Sequence, residues 1–361
     1  MNPLEDFYRG RRVMVTGHTG FKGSWLALWL RKLGAEVTGF ALPPATDPSH
    51  FSILGLETRI RHREGDVRDP SALHNVFAEA KPEVVFHLAA QAIVRSSYED
   101  PKETFDVNIG GTVNVLEAIR QTKSIRSVVI VTSDKCYENR EWVWGYREED
   151  PLGGHDPYSA SKGAVEIVCG AYARSYFGTG GRGPRFGFAT ARAGNVIGGG
   201  DWAADRLIPD CVRALAAGKA VVIRNPGATR PWQHVLDPLS AYLFLARRLA
   251  EEPDRFSGPW NFGPADGSSM PVRELAARFV TCWPDGRLRL GGGRKNAPHE
   301  AHALALCVDK ARKILGWQPV LSTGEAVDWT AAWYRAWQEG RGNHRALSLR
   351  QIGQYEKKRR T

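Results

Sequence analysis

The stretch RVMVTGHTGFKGSWLALWLRKL, residues 12–33, decides how the rest of the chain is read. Its first five residues, RVMVT, read as a strand. Gly17, Gly20 and Gly23 then fall in a G-x-x-G-x-x-G pattern, and from residue 24 to 33 the apolar positions take helical spacing. Side-chain-free positions between a strand and a helix allow a tight turn and let a pyrophosphate approach the N–H groups at the helix N-terminus. A glycine-rich turn that binds nothing needs no such placement. Gly17, Thr19, Gly20, Phe21, Lys22 and Gly23 are therefore the first candidate dinucleotide-binding residues.

Outward from this unit, further strands are expected at 36–40, 82–88, 127–132 and 186–192, and helices at 104–121 and 158–177. Strand and helix in alternation predict an α/β chain, a Rossmann-type doubly wound parallel sheet with helices on both faces. Beyond Asn195 the pattern turns irregular and rich in glycine and proline, which predicts a smaller C-terminal substrate-binding domain. The expected division is a dinucleotide-binding domain at 1–192 plus about 233–263, a substrate-binding domain at 193–232 and about 264–345, and a basic tail at 346–361. The glycine-rich segment 178–183 reads as a surface loop, and the polar tail after about residue 341 as poorly ordered.

The bulk numbers narrow the function classes. Of 361 residues, 42% are hydrophobic and 24% charged, an ordinary globular composition. No apolar run approaches the ~20 residues that span a bilayer, and the N-terminus carries Glu5 and Asp6 rather than a signal-peptide pattern. The expected compartment is the cytoplasm. The five cysteines, Cys136, Cys169, Cys211, Cys282 and Cys307, stand singly without metal-ligand spacing, so no metal and no disulfide framework is expected. The formal charge of +10 is spread along the chain apart from Lys357-Lys358-Arg359-Arg360, and no basic block is interleaved with aromatics. A nucleic-acid partner is not expected, whereas a pyrophosphate-bearing substrate suits a positive cleft.

Asp66 and Val67 read as contacts to the adenine end of the cofactor, and Leu88, Ala89 and Ala90 as a small-residue strand end packed against it. The second strand ends in neither an acidic residue nor an arginine, so the residues themselves leave NAD and NADP both open. Further on, Tyr158 and Lys162 form a YxxxK pair whose side chains share one helix face. A lysine cation beside a phenol lowers its pKa and fits it to act as a base, which is the expectation for this pair. The pair lies downstream of a strand ending in Thr132-Ser133-Asp134-Lys135, and that strand end opens onto the cofactor crevice in a doubly wound sheet.

The glycine loop, the strand-end hydroxyl and YxxxK, in this order, resemble the extended short-chain dehydrogenase/reductase family, also called the NAD-dependent epimerase/dehydratase family, over nearly the whole chain. The resemblance implies NAD as cofactor. It implies that Ser133 hydrogen-bonds the reacting oxygen of the substrate, that Tyr158 takes its proton, and that Lys162 also holds the nicotinamide ribose. Asn108, in DVNIGGTVNVLEA, matches the family's helix asparagine, more structural than chemical.

Sugar 4,6-dehydratases of this family carry an acidic pair after the strand, Asp then Glu, and Asp134-Lys135 departs from that dTDP-glucose pattern. Asp134-Lys135 resembles the CDP-glucose branch, as do GHTGFKGSWL, TSDKCYEN, ARAGNVIGGGDW, RPWQHVLDPLSAYL and the later HEA and LGWQP strings. The implied chemistry is oxidation at sugar carbon 4, removal of the carbon-5 proton by a neutral Lys135, proton donation by Asp134 to the departing carbon-6 hydroxyl, and hydride return to carbon 6. By the same resemblance Asn195 reaches substrate phosphate, Arg230 grips the pyrophosphate as a bidentate donor, and Gln91 and Arg95 face the sugar pocket. Asp201, Arg206, His299 and Glu300 are further substrate candidates. The implied assembly is a homodimer, or a dimer of dimers, through helices 104–121 and 158–177. Open beside this reading are a 4-epimerase, a dehydratase of another nucleotide sugar, and a cofactor-sensing protein without catalysis.

Overall fold

In the computed structural model, residues 3–177, 186–223, 225–264, 270–291 and 303–360 are described. The central sheet has seven strands: β1 (Arg12–Thr16), β2 (Glu36–Ala41), β3 (Arg61–Glu64), β4 (Val84–His87), β5 (Ser127–Val131), β6 (Gly187–Ala193) and β7 (Gly258–Phe262). Their order is β7-β6-β5-β4-β1-β2-β3, and every adjacent pair is parallel. The chain builds one half outward from β1 to β3 and then returns to β4 on the other side of β1. The C-terminal ends of β1 and β4 therefore part into a crevice, the switch point at which such sheets bind ligands. The expected doubly wound architecture is present, with a smaller C-terminal part following it.

Because helices cover both faces, the inner strands are buried: all of Ser127, Val128, Val129, Ile130 and Val131 in β5 are buried, whereas the edge strand β3, Arg61-His62-Arg63-Glu64, is polar and mostly exposed. Period-two alternation distributes them. Val13, Val15, Val84, Phe86 and Val129 pack under α1 (Phe21–Lys32) and α6 (Leu236–Glu251). Met14, Val85, Val128 and Ile130 pack under α2 (Pro70–Ala80), α3 (Gly111–Gln121) and α4 (Pro157–Tyr176).

α4 starts sharply. Asp156 caps it, its carboxylate accepting from Ser159 N at 2.9 Å and from Ser159 Oγ at 2.6 Å, and Pro157 occupies the first turn. This fixes the helical phase of Tyr158 and Lys162. The stretch before α3 runs through a π-turn, Asp106–Gly110, which turns Asn108 inward.

The C-terminal part contributes α5 (Leu207–Ala216), α7 (Val272–Thr281) and α8 (Thr323–Gln338). Short strand pairs join 196–197 to 233–234, 229–230 to 270–271, and 221–223 to 288–290. One apolar cluster runs from β1 and α1 through α6 into α7 and α8. No helix of the described residues is long and apolar enough to cross a membrane.

The chain after residue 341 differs from expectation. It is a 17-residue helix, α9 (His344–Arg360), with Ile352 and Tyr355 fully buried. Much of its docking is polar, which hid it from a reading of apolar spacing. Trp333 Nε1 donates to Ser348 Oγ at 3.0 Å, and Trp29 Nε1 donates to Glu356 Oε1 at 2.9 Å. α9 thereby covers the outer side of α1, which explains why α1 is apolar nearly all round.

Candidate active site

A cleft of about 1710 Å³ opens at the C-terminal ends of β1, β4 and β5. Its floor is the loop from β1 to α1. Gly17 has φ +74°, and a Cβ there would stand 2.6 Å from the backbone N of Ala89, so the β1 and β4 ends approach only because the side chain is missing. A Cβ on Gly23 would meet the Gly17 carbonyl at 2.1 Å. Gly20 caps α1 without a side-chain acceptor, which leaves the first N–H groups of the helix open to the cleft.

This cradle fits the pyrophosphate of a dinucleotide. Asp66, Val67, Leu88, Ala89 and Ala90 line the same cleft with Thr19, Phe21 and Lys22. Asp66 is braced by Arg68, whose guanidinium and backbone N–H hold its carboxylate below its ordinary pKa. At the end of β2 the wall is Ala41, Leu42, Pro43 and Ala45, with Thr19 Oγ1 donating to the Leu42 carbonyl at 2.9 Å. His18, which the sequence reading left unassigned, is buried under this end, its Nε2 2.7 Å from His62 Nδ1.

The cleft brings Ser133, Asp134, Lys135, Tyr158 and Lys162 together. Ser133 Oγ donates to Asp134 Oδ1 at 3.0 Å. Asp134 is 3% exposed, and its Oδ2 has no hydrogen-bond partner among the described residues. Lys22, from the glycine loop, reaches this group. Burial and the charges of Arg206 and Lys162 lower its pKa to about 8, against the pull of Asp134 and Asp201.

One expectation is corrected here. Tyr158 is not lowered: burial pushes its phenol up to about 12, against the Ser133 hydrogen bond and the Arg206 charge. Lys162 Nζ stands 5.9 Å from the Tyr158 ring centroid, over the ring. Burial lowers the Lys162 ammonium itself to about 8, with Glu166 acting the other way.

The substrate candidates divide. Arg95, Asn195, Arg206 and Arg230 line the cleft. Arg206 Nη1 donates to Asp201 Oδ2 at 2.9 Å, and Arg95 Nη1 to Asp205 Oδ1 at 2.7 Å, so both guanidiniums are already braced by loop carboxylates. Gln91 does not line the cleft. Its amide donates to the Ile93 carbonyl at 3.1 Å and to Thr104 Oγ1 at 2.9 Å, because the turn after β4 needs those partners. Asn108 ties that turn to α4, its Nδ2 donating to the Gln91 carbonyl at 3.1 Å and to Ser161 Oγ at 2.8 Å. His299 and Glu300 lie outside the described residues. The sequence reading missed Glu166 and Arg192, a buried ion pair at 2.8 Å under the strand end that carries Ser133. The signal was present: a carboxylate one turn after Lys162, and an arginine inside the apolar strand FATARAG.

Residues 13–259 match the model of the NAD dependent epimerase/dehydratase family. The chain is 50% identical to a protein named CDP-glucose 4,6-dehydratase from Salmonella typhimurium, over 97% of this chain and 98% of that protein. Among solved structures, the Thermus thermophilus UDP-glucose 4-epimerase in complex with NAD is similar with a TM-score of 0.74 and 25% identity, covering 90% of this chain and 99% of the other. DesIV, a dTDP-glucose 4,6-dehydratase from Streptomyces venezuelae with NAD bound, shares the fold with a TM-score of 0.76 at 23% identity, over 92% and 99% of the two chains.

Proposed function

The chain belongs to the NAD dependent epimerase/dehydratase family, and from that premise we propose that it converts CDP-glucose to CDP-4-keto-6-deoxy-glucose with release of water. The observation that carries the reading is the Asp134 carboxyl, buried between Ser133 and the cleft with one oxygen unpartnered and Lys135 next to it. A 4-epimerase has no step for such an acid–base pair. Nearly full-length identity to a CDP-glucose 4,6-dehydratase supports the nucleotide.

NAD is the cofactor, and when bound it takes hydride from sugar carbon 4 and returns it to carbon 6. The residues of this chain move the protons. Tyr158 takes the proton of the carbon-4 hydroxyl while Ser133 holds that oxygen by a hydrogen bond. The positive charges of Lys22, Lys162 and Arg206 stabilise the phenolate as it forms. A ketone at carbon 4 acidifies carbon 5, and Lys135 takes the proton there. Asp134 gives a proton to the carbon-6 hydroxyl, which leaves as water, and Lys135 returns its proton to carbon 5 as carbon 6 is reduced.

Asn195, beside the pairing of 196–197 with 233–234, and Arg230, in the strand pair 229–230 with 270–271, line the cleft and hold the pyrophosphate in this reading. Residues 193–232 and about 264–345 then form the nucleotide-sugar-binding part. The assembly in the reading is a homodimer, or a dimer of dimers, through the helices at 104–121 and 158–177, where Phe105, Ile167 and Tyr176 are exposed.

The experiment is a mass spectrum of CDP-glucose, dTDP-glucose, GDP-mannose and UDP-glucose after incubation with enzyme and NAD. Loss of one water from CDP-glucose alone is the expected outcome. An isomer of unchanged mass, or no product at all, overturns the reading.

A further inference from the structure

Under the catalytic strand end lies a set of buried charges to which the steps above assign no task. Glu166 is 6% exposed and Arg192 2% exposed. Arg192 Nη2 donates to Glu166 Oε2 at 2.8 Å, and its Nη1 donates to Tyr137 Oη at 2.6 Å and to the Glu148 carbonyl at 2.9 Å. Glu166 Oε1 accepts from Thr132 Oγ1 at 2.5 Å, and its Oε2 accepts from Thr190 Oγ1 at 2.7 Å. The carboxylate is thus held from β6 on one side and holds the end of β5 on the other. Thr132 immediately precedes Ser133, and Glu166 follows Lys162 by one turn of α4. An apolar pair of the same volume can join α4, β5 and β6 as firmly as a buried ion pair, so stability alone does not account for these charges.

We propose that Glu166 is a positioning residue for the reaction: it fixes the Thr132–Ser133 strand end and is the buried counter-charge that keeps Lys162 charged beside Tyr158, with Arg192 holding it in place. The proposal rests on the dehydratase reading of the site. Facing Lys162 are Glu166 and Cys169 on its own helix, Cys136 from the turn after β5, His87 at the end of β4 and Lys22 from α1. The π-turn presents the uncharged Asn108 to the same helix. His87 is kept neutral by burial, its pKa lowered to about 3, and burial pushes both thiols up. Glu166 is therefore the anion of this group, and its influence is the largest of those that oppose the burial of Lys162.

Glu166→Gln keeps the shape of the side chain and removes the charge. The test measures kcat and KM for water loss from CDP-glucose against pH in the wild type, in E166Q and in E166Q/R192M, with folding followed by circular dichroism and thermal unfolding. Without the counter-charge Lys162 loses its proton at lower pH. The alkaline limb of kcat in E166Q is therefore expected to move down by about one pH unit, since an opposite charge a helical turn away raises an ammonium by about that much. At pH 8, kcat falls about fivefold with KM changed less than about twofold, the pattern of a group acting on the transition state. E166Q/R192M leaves no lone buried charge, so it recovers stability lost in E166Q while keeping the shifted limb. A folded E166Q with the wild-type pH profile, or a double variant whose limb returns to the wild-type position, overturns the proposal. A wild-type enzyme that releases no water instead removes the dehydratase reading, and the two failures are told apart by that control.

Discussion

Asp134 and Lys135 adjoin in the chain and meet different surroundings. Asp134 is buried, with one oxygen on Ser133, while Lys135 is half-buried on the cleft wall. If Lys135 takes the carbon-5 proton, Lys135→Met removes that step and nothing that holds NAD. Water loss is expected to fall by about 10²–10⁴-fold, the usual contribution of a general base, with NAD affinity unchanged by titration. Normal turnover in this variant removes the assigned role. Both residues were legible in the sequence as types and positions. Their burial was not, and neither was the direction of the Tyr158 shift. A YxxxK spacing says that two side chains share a helix face, but whether the cation or the desolvation wins depends on what other segments bring over that face.

At the scale of the element, one of the contacts that hold α9 is a buried carboxyl on α6. Asp237 Oδ1 accepts from Val320 N and from Tyr355 Oη, both at 2.8 Å, and its Oδ2 is buried without a partner among the described residues. Burial raises Asp237 from its ordinary 3.8 to about 6, against the hydrogen bonds from Val320 and Tyr355. The folded chain thus holds this proton more tightly than the unfolded chain. The contribution is complete below pH 3.8 and is lost as pH rises through 6. Asp237→Asn cannot lose it. From about pH 5 to about pH 7 the stability of Asp237→Asn is expected to gain about 1 kcal/mol on the wild type, read as the difference in Tm between the two. A difference in Tm that stays constant over this range contradicts the cause given for the shift.

At the scale of the whole molecule, buried histidines set the acid limit. His18, His50, His87 and His234 are each lowered from 6.5 to about 3, in every case chiefly by burial. Between those values the unfolded chain binds protons that the folded chain refuses. Their stabilising share is complete above pH 6.5 and is lost as pH falls, by about 1.4 kcal/mol per pH unit for each histidine once well below 6.5. Four together exhaust an ordinary domain stability within about two pH units. Unfolding followed by circular dichroism is expected to centre at about pH 4.5, and a chain still folded at pH 3 excludes the four neutral rings. Assembly belongs to the same scale. Ile167 is 61% exposed on α4; if the proposed dimer forms through α4, wild type runs as a dimer in light scattering and Ile167→Glu as a monomer, with Tm changed little.

Local spacing by itself determined the sheet-and-helix alternation, the glycine cradle, the strand-end Ser133-Asp134-Lys135 and the Tyr158–Lys162 pair, because each depends on residues close together in the chain. Only the tertiary structure decided the rest. Gln91 turned from the cleft to satisfy its own loop, α9 formed on contacts with α1, α6 and α8, and Glu166 met Arg192 across two elements. These outcomes depend on burial and on hydrogen-bond partners from distant segments. An amino-acid sequence states which polar groups must be satisfied, and packing chooses the partners that satisfy them.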